Sequence, residues 1–335
     1  MTPTATITPA RAGAVTYPPS RAFRTRVRAV EPLTPHLTRI TLTGDELEHA
    51  GPLCLDQRIK LYLPRADGTL PDVGLFDEPR PTMAEWYRRW RELPDAERNP
   101  MRTYTLRAVR PGSSEIDIDF VLHGTEGPAS AWASAAQVGD ELVVIGPDAR
   151  SESENGGIAW HPGRARRVLL AGDETALPAI CGVVETLDAS FSGEVFVEVP
   201  TAEDVVELAA PDGMTVHWLV RGEREHGAAL DTAVRAWGDE RFPAGGPVAD
   251  GAARAGTGPA PQTGPGDDAP SAPTPDPEGI LWDVPADVEG PDYAWLAGEA
   301  SVITALRRFL VRDKGLDRRS VAFMGYWRRG RSEGS

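Results

Sequence analysis

The stretch DIDFVLHGTEGPASAWA, residues 117–133, decides how the first half of this chain folds. Its opening alternates. Ile116, Ile118, Phe120 and Leu122 fall on one side, and Asp117, Asp119, Val121 and His123 on the other, which is the period of a half-buried strand. The alternation stops at His123-Gly124, and Gly127-Pro128-Ala129-Ser130 then opens a helix with small residues. A helix start of that kind presents free N–H groups and a favourable dipole to an anion. Small residues at both the turn and the helix start let a ligand come very close to the backbone.

Working outward, five more segments read as strands: FRTRVRAV, HLTRITLTG, RIKLYLP, MRTYTLRAVRP and DELVVIGP, separated by Glu-Pro, Thr-Gly-Asp, Pro-Gly-Ser and Val-Gly-Asp turn signals. Six short strands with one short helix predict a small six-stranded antiparallel Greek-key barrel over residues 21–150. EWYRRWRELPDAERNP reads as a helical insertion lying over it. From Arg166 the rhythm changes: the apolar runs RRVLLAG, EVFVEVP, TVHWLVRG, YAWLAGE and SVAFMGYW alternate with helical segments. That pattern predicts a parallel sheet covered on both faces, a nucleotide-binding-like α/β domain over residues 160–330. Residues 1–20 read as a disordered leader, and the Gly/Pro/Ala-rich residues 241–279 as a disordered insertion in a surface loop.

Composition narrows the function. The 335 residues carry a net charge of −15, which argues against nucleic acid and anionic membrane surfaces as partners. No apolar run approaches a membrane span, and the N-terminus lacks a secretory pattern, so a cytoplasmic protein is expected. Nothing demands more than a monomer. The two cysteines, Cys54 and Cys181, stand outside any metal spacing, so no metal site is expected. P-loop, zincin and G-x-S-x-G motifs are missing, as is an acid/base pair set for hydrolysis. On the strand before the opening stretch, RTYTLR offers Tyr104 for stacking on a flat ring system, and Arg102 and Thr105 for phosphate or ribityl oxygens.

These residues together carry a resemblance. RTYTLR, DFVLHGTEGPASAWA, GDETALPAI, WLAGEAS and the terminal GYWRRG, in that order, resemble the siderophore-interacting proteins, FAD-dependent ferric-siderophore reductases related to the ferredoxin reductases. The resemblance implies an FAD-binding barrel followed by a pyridine-nucleotide-binding domain. By position it places Arg102, Tyr104 and Thr105 at the flavin and its phosphates, and Asp119, Val121 and His123 along the flavin–ribityl part. Ala129, Ser130 and Trp132 come near the diphosphate or adenine end. It places Asp173, Glu174, Thr175 and Ala176 at the NADPH or NADH site. Read from their own chemistry, Asp173 and Glu174 fit equally as helix-start residues complementing the dipole. Lys60, Arg328 and Arg329 are candidates for attracting an anionic ferric siderophore, and Tyr326 and Trp327 for packing on the flavin. The implied reaction runs from NAD(P)H through FAD to the ferric siderophore, with ferredoxin as donor left open. Two other readings stand beside it: a flavin reductase with another acceptor, and a non-catalytic siderophore-binding protein.

Overall fold

The computed structural model describes residues 16–124, 127–153, 156–243, 282–285 and 288–330. The first fifteen residues of the expected leader, and the expected loop insertion from residue 244 onward, lie outside the described residues. The first domain is one antiparallel sheet of β1 (Ser20–Thr34), β2 (Leu37–Thr43), β3 (Arg58–Tyr62), β4 (Met101–Thr105), β5 (Ala108–Arg110), β6 (Glu115–Val121) and β7 (Glu141–Pro147). Their order is β4-β3-β7-β1-β2-β6-β5.

That makes seven strands where six were expected, and the reason lies in MRTYTLRAVRP. Its first half pairs with β3, with Tyr104 opposite Ile59, and its second half with β6, with Val109 opposite Ile116. Between the two halves Leu106 N donates to Gln57 O at 2.8 Å and Arg107 N to Asp117 O at 3.0 Å, so the backbone changes partner there. Both edges of the sheet are therefore halves of one continuous segment, and the sheet curls into a barrel. Phe23, Ile40, Leu42, Leu61, Ile118 and Phe120 fill it. Helix α1 (Met83–Glu92) starts in a Thr82/Glu85 capping box, and Trp86 and Trp90, one turn apart, pack on the outer wall beside Tyr62 and Met101. Helix α2 (Pro128–Ala135) buries Ala129 and Ala133 against the barrel core.

The second domain holds β8 (Arg167–Gly172), β9 (Ser192–Val199), β10 (Met214–Val220), β11 (Trp282–Asp283), β12 (Asp292–Glu299) and β13 (Val321–Trp327), in the order β10-β9-β8-β12-β13-β11. The sheet is mixed, not parallel as expected. The two-residue β11 pairs antiparallel to β13, and a segment that short carries no periodicity to read. Helix α3 (Leu177–Val184) covers the face bearing Val168, Leu170, Val195 and Trp295. On the other face α4 (Ala228–Arg241) and α5 (Ala300–Arg308) cover Leu169, Ala171, Phe196 and Leu296. From β8 the chain builds outward to β9 and β10, and β12 and β13 are added on its other side. The crevice above the C-terminal ends of β8 and β12 is thus the topological switch point, where sheets of this class bind ligands.

The domains meet along a built seam. Asp56 is buried and accepts hydrogen bonds from Ala159 N (3.0 Å), Trp160 N (3.2 Å) and Trp295 Nε1 (2.9 Å). Burial pushes its carboxyl group up, while these donors pull against the shift. Asp204 joins Thr34 and His36 of the barrel to Thr201. Gly182 lies on the Leu55 carbonyl, where a Cβ would come within 2.3 Å of the oxygen. Asp56→Ala leaves three buried donors without an acceptor and is expected to destabilise the protein by on the order of 3 kcal/mol. A thermal melt with FAD at fixed concentration checks it; an unchanged midpoint refutes Asp56 as a seam anchor.

Candidate functional site

The α/β side of the crevice is organised by Asp173, which follows β8 and is 2% exposed. Its Oδ2 accepts from His226 Nε2 (3.0 Å), Trp327 Nε1 (3.0 Å) and Glu299 N (2.9 Å). Its Oδ1 accepts from Thr175 N at 2.9 Å and from the Thr175 hydroxyl. The approach of β12 requires glycine: at Gly298, φ +145°, a Cβ would lie 2.6 Å from Asp173 Oδ2. Burial opposes charge on both partners of the Asp173–His226 pair. The His226 contact, with Thr175 and Trp327, nevertheless holds Asp173 below the usual carboxylate value, and Asp173 holds His226 above the usual histidine value. The two form a buried ion pair.

Glu174 is also buried, and both its oxygens accept from Arg221 at 2.9 Å. Arg221 also reaches Glu198 Oε1 at 3.3 Å. Glu198, fully buried, accepts from Gly227 N (2.7 Å) and Leu230 N (3.0 Å) at the start of α4, where a carboxylate complements the helix dipole. Ligand atoms of Asp173, Glu174 and His226 lie within 4.8 Å of one another. The N–H donors named above already occupy the two carboxylates, so these residues form a hydrogen-bonded hub. The turn donors Thr175 N and Ala176 N both bond to Asp173 itself, ahead of α3, which begins at Leu177 with no side-chain cap and no acidic residue in its first turn. Sequence reading missed His226 and Arg221.

On the barrel side, Tyr104 and Trp132 flank the buried Phe120, with ring centroids 4.6 and 5.7 Å from it. Arg102 lies two residues before Tyr104 on β4, hence on the same face. Thr105 is buried. Ser130 Oγ accepts from His123 N (3.1 Å) and donates to Gly124 O (2.7 Å), so it holds the turn, while Ala129 packs inward. Asp119 and Val121 point the other way. Asp119 is held by Arg39 through bonds of 2.7 and 2.9 Å, and Val121 is buried with Leu37 in the core cluster that includes α3. The His123 ring reaches across the seam. Its Nδ1 is 4.0 Å from Glu174 Oε1, and its ring is 6.4 Å from that of Trp327. Trp327 meets His226 edge-on at 4.8 Å on its other side.

Of the basic candidates, Arg328 and Arg329 are exposed just beyond Trp327, with Arg329 N bonded to Glu299 Oε1. Lys60, half-buried opposite Thr103, lies on the outer face of β3, one side-chain step beyond Arg58, whose guanidinium stacks on Trp282. Tyr326 has its hydroxyl buried and packs between Trp282 and Trp295. Among the described residues, no atom beyond the chain neighbours lies within 4 Å of a Cβ placed on Gly124 or Gly127, and none of their side chains caps α2. Open space over two glycines, an uncapped helix start and an aromatic shelf fit a flat ring system with a diphosphate tail, which is what FAD is.

Comparison with known proteins gives the same assignment. Residues 26–151 match the siderophore-interacting FAD-binding domain, and residues 165–330 match the siderophore-interacting protein family. An uncharacterized protein of Mycobacterium tuberculosis is 32% identical over 318 residues, covering 94% of this chain and 92% of its own length. The ferric vibriobactin reductase ViuB of Vibrio cholerae is 28% identical over 308 residues, covering 89% of this chain and 86% of its own. The crystal structure of the siderophore-interacting protein SipS from Aeromonas hydrophila superposes with a TM-score of 0.62 at 28% identity, covering 94% of this chain and 95% of its own. With its barrel matching that family's FAD-binding domain and its α/β half the remainder, this chain belongs to the siderophore-interacting proteins.

Proposed function

We propose that this protein is a flavin-dependent ferric-siderophore reductase that takes electrons from NADH or NADPH and delivers them to a ferric siderophore, releasing Fe(II). The single observation that carries this reading is the Tyr104–Phe120–Trp132 shelf beside the small-residue start of α2, with His123 next to it reaching the C-terminal edge of the α/β sheet. The similarity to a ferric vibriobactin reductase along most of both chains supports the acceptor class. When bound, FAD accepts two electrons together and gives them up singly. Fe(II) is held far less tightly than Fe(III) by hard oxygen ligands, so reduction frees the iron with the chelator intact.

The chain's own residues bind and orient. Tyr104 and Trp132 supply the stacking surface, and Arg102 and Thr105 contact phosphate or ribityl oxygens. The start of α2 and the turn held by Ser130 cradle the diphosphate. The nicotinamide nucleotide approaches over the C-terminal edge, on the frame made by Asp173, Glu174, Thr175 and Ala176 with Arg221. Arg328 and Arg329, with Lys60, attract an anionic ferric complex to the mouth. Outer-sphere electron transfer asks for no general acid. Among the described residues no helix is long and apolar enough to cross a membrane. We take the working unit as a cytoplasmic monomer.

The test is a visible spectrum of the purified protein, followed by anaerobic reduction with NADH and NADPH in the presence of ferric siderophores and a ferrous-iron trap. The expected result is yellow protein that bleaches with a nucleotide and regains colour as Fe(II) accumulates. Bleached protein that no ferric siderophore reoxidises overturns the reading.

A further inference from the structure

Hydride enters this reaction and single electrons leave it, so a proton is left over. The balance is NAD(P)H + 2 Fe(III) → NAD(P)+ + 2 Fe(II) + H+: the nicotinamide C–H bond breaks, two irons are reduced, and the hydrogen departs as H+. In the proposed function no residue yet takes that proton.

We propose that His123 takes it and releases it to solvent at the domain seam, with the Glu174 carboxylate beside it stabilising the charged ring, an inference that rests on the reductase reading. The geometry selects His123. It ends the strand that borders the aromatic shelf, and its side chain is 48% exposed, so it meets both the crevice and solvent. Its backbone N is fixed by Ser130, and Nδ1 faces Glu174 Oε1 at 4.0 Å. The second histidine is arranged differently. His226 Nδ1 is also 4.0 Å from Glu174 Oε1, but its Nε2 is committed to Asp173 and its ring is covered by Trp327. His226 therefore serves the frame, and His123 is the ring free to exchange.

The charges around His123 come from three elements. Glu174 and Asp173 follow β8, Arg221 follows β10, and His226 precedes α4. Burial lowers the His123 value first, Glu174 and Asp173 oppose this, and Arg221 and His226 add to the lowering. The outcome is a neutral ring at physiological pH, able to accept a proton.

The test uses the full chain loaded with FAD, and compares wild type with His123→Gln and with His123→Gly plus added imidazole. Expected in His123→Gln is a fall in kcat for ferric-complex reduction of about a hundredfold, the low end for a lost general acid–base group, with KM for the nucleotide within about twofold. Imidazole restores turnover in His123→Gly. Two further readouts are independent of turnover. The midpoint potential of the bound flavin breaks with pH at the His123 value in wild type, and the break is absent in His123→Gln. In FAD-free protein the His123 ring resonance titrates below the ordinary histidine value and the His226 ring above it. A flavin potential with the same pH break in wild type and His123→Gln overturns the inference, as does unchanged turnover. Loss of FAD from both variants also overturns it, by making His123 a binding residue. Wild-type protein that binds FAD but reduces no ferric complex refutes the reductase reading, and leaves the pH break to judge His123 separately.

Discussion

Arg102→Ala with Tyr104→Ala weakens FAD binding by about three orders of magnitude while the protein remains folded. Tyr104 is half-buried against Phe120, the floor of the shelf. Stacking of an aromatic ring system on such a side chain contributes about 1–3 kcal/mol. A charge-assisted hydrogen bond from Arg102 to a phosphate oxygen contributes about 1.5–3 kcal/mol. Together these give about 4 kcal/mol, and each 1.4 kcal/mol is tenfold in Kd. Tyr104 packs against the barrel core from its edge, and Ile40, Leu61, Ile118 and Phe120 fill the core itself. The measurement is a titration of FAD-stripped protein followed by flavin fluorescence, with circular dichroism reporting the fold. A double variant binding within threefold of wild type would remove the shelf from the cofactor site.

The second large effect concerns the hub. Asp173→Ala is expected to destabilise the protein by about 3–5 kcal/mol, the cost of breaking a buried ion pair from one side. His226, Trp327, Glu299 N and Thr175 would all lose their acceptor at once. The effect has a pH signature. His226 is raised from its reference 6.5, so its contribution is complete below that pH and fades as pH climbs through its folded value. Asp173 is lowered from 3.8, so its contribution holds above that pH and fades as pH falls through its folded value. The stability gap between wild type and Asp173→Asn is therefore widest between pH 3.8 and 6.5, and narrows above. Denaturation midpoints across pH 4–9 test this; a gap that widens from pH 6.5 upward refutes the ion pair.

The hub also shows where sequence reading stopped. Two His-Gly pairs precede helices in this chain, His123-Gly124 before α2 and His226-Gly227 before α4. The first is marked in the sequence by the strand that runs into it. The second sits in the polar segment GEREHGAAL, with nothing local to mark it. Trp327 stands between the two rings, yet its partner Asp173 is 154 residues away in the chain. Asp119 gives the opposite lesson. Its place on β6 matches a family position, but alternation along the strand turns its side chain from Phe120 toward Arg39.

Strand periods, capping residues and turn glycines act over a few neighbours, so the chain's own order of residues was enough to specify a barrel followed by an α/β sheet. It also sufficed to mark the aromatic strand and the small-residue helix start. The split of the fourth barrel segment, the antiparallel β11 and the Asp173–His226–Trp327 hub were settled only in three dimensions. Each depends on which distant groups a backbone or carboxylate meets once the two sheets close on each other. Burial makes those meetings decisive, because a carboxylate removed from water must find donors wherever along the chain they come from.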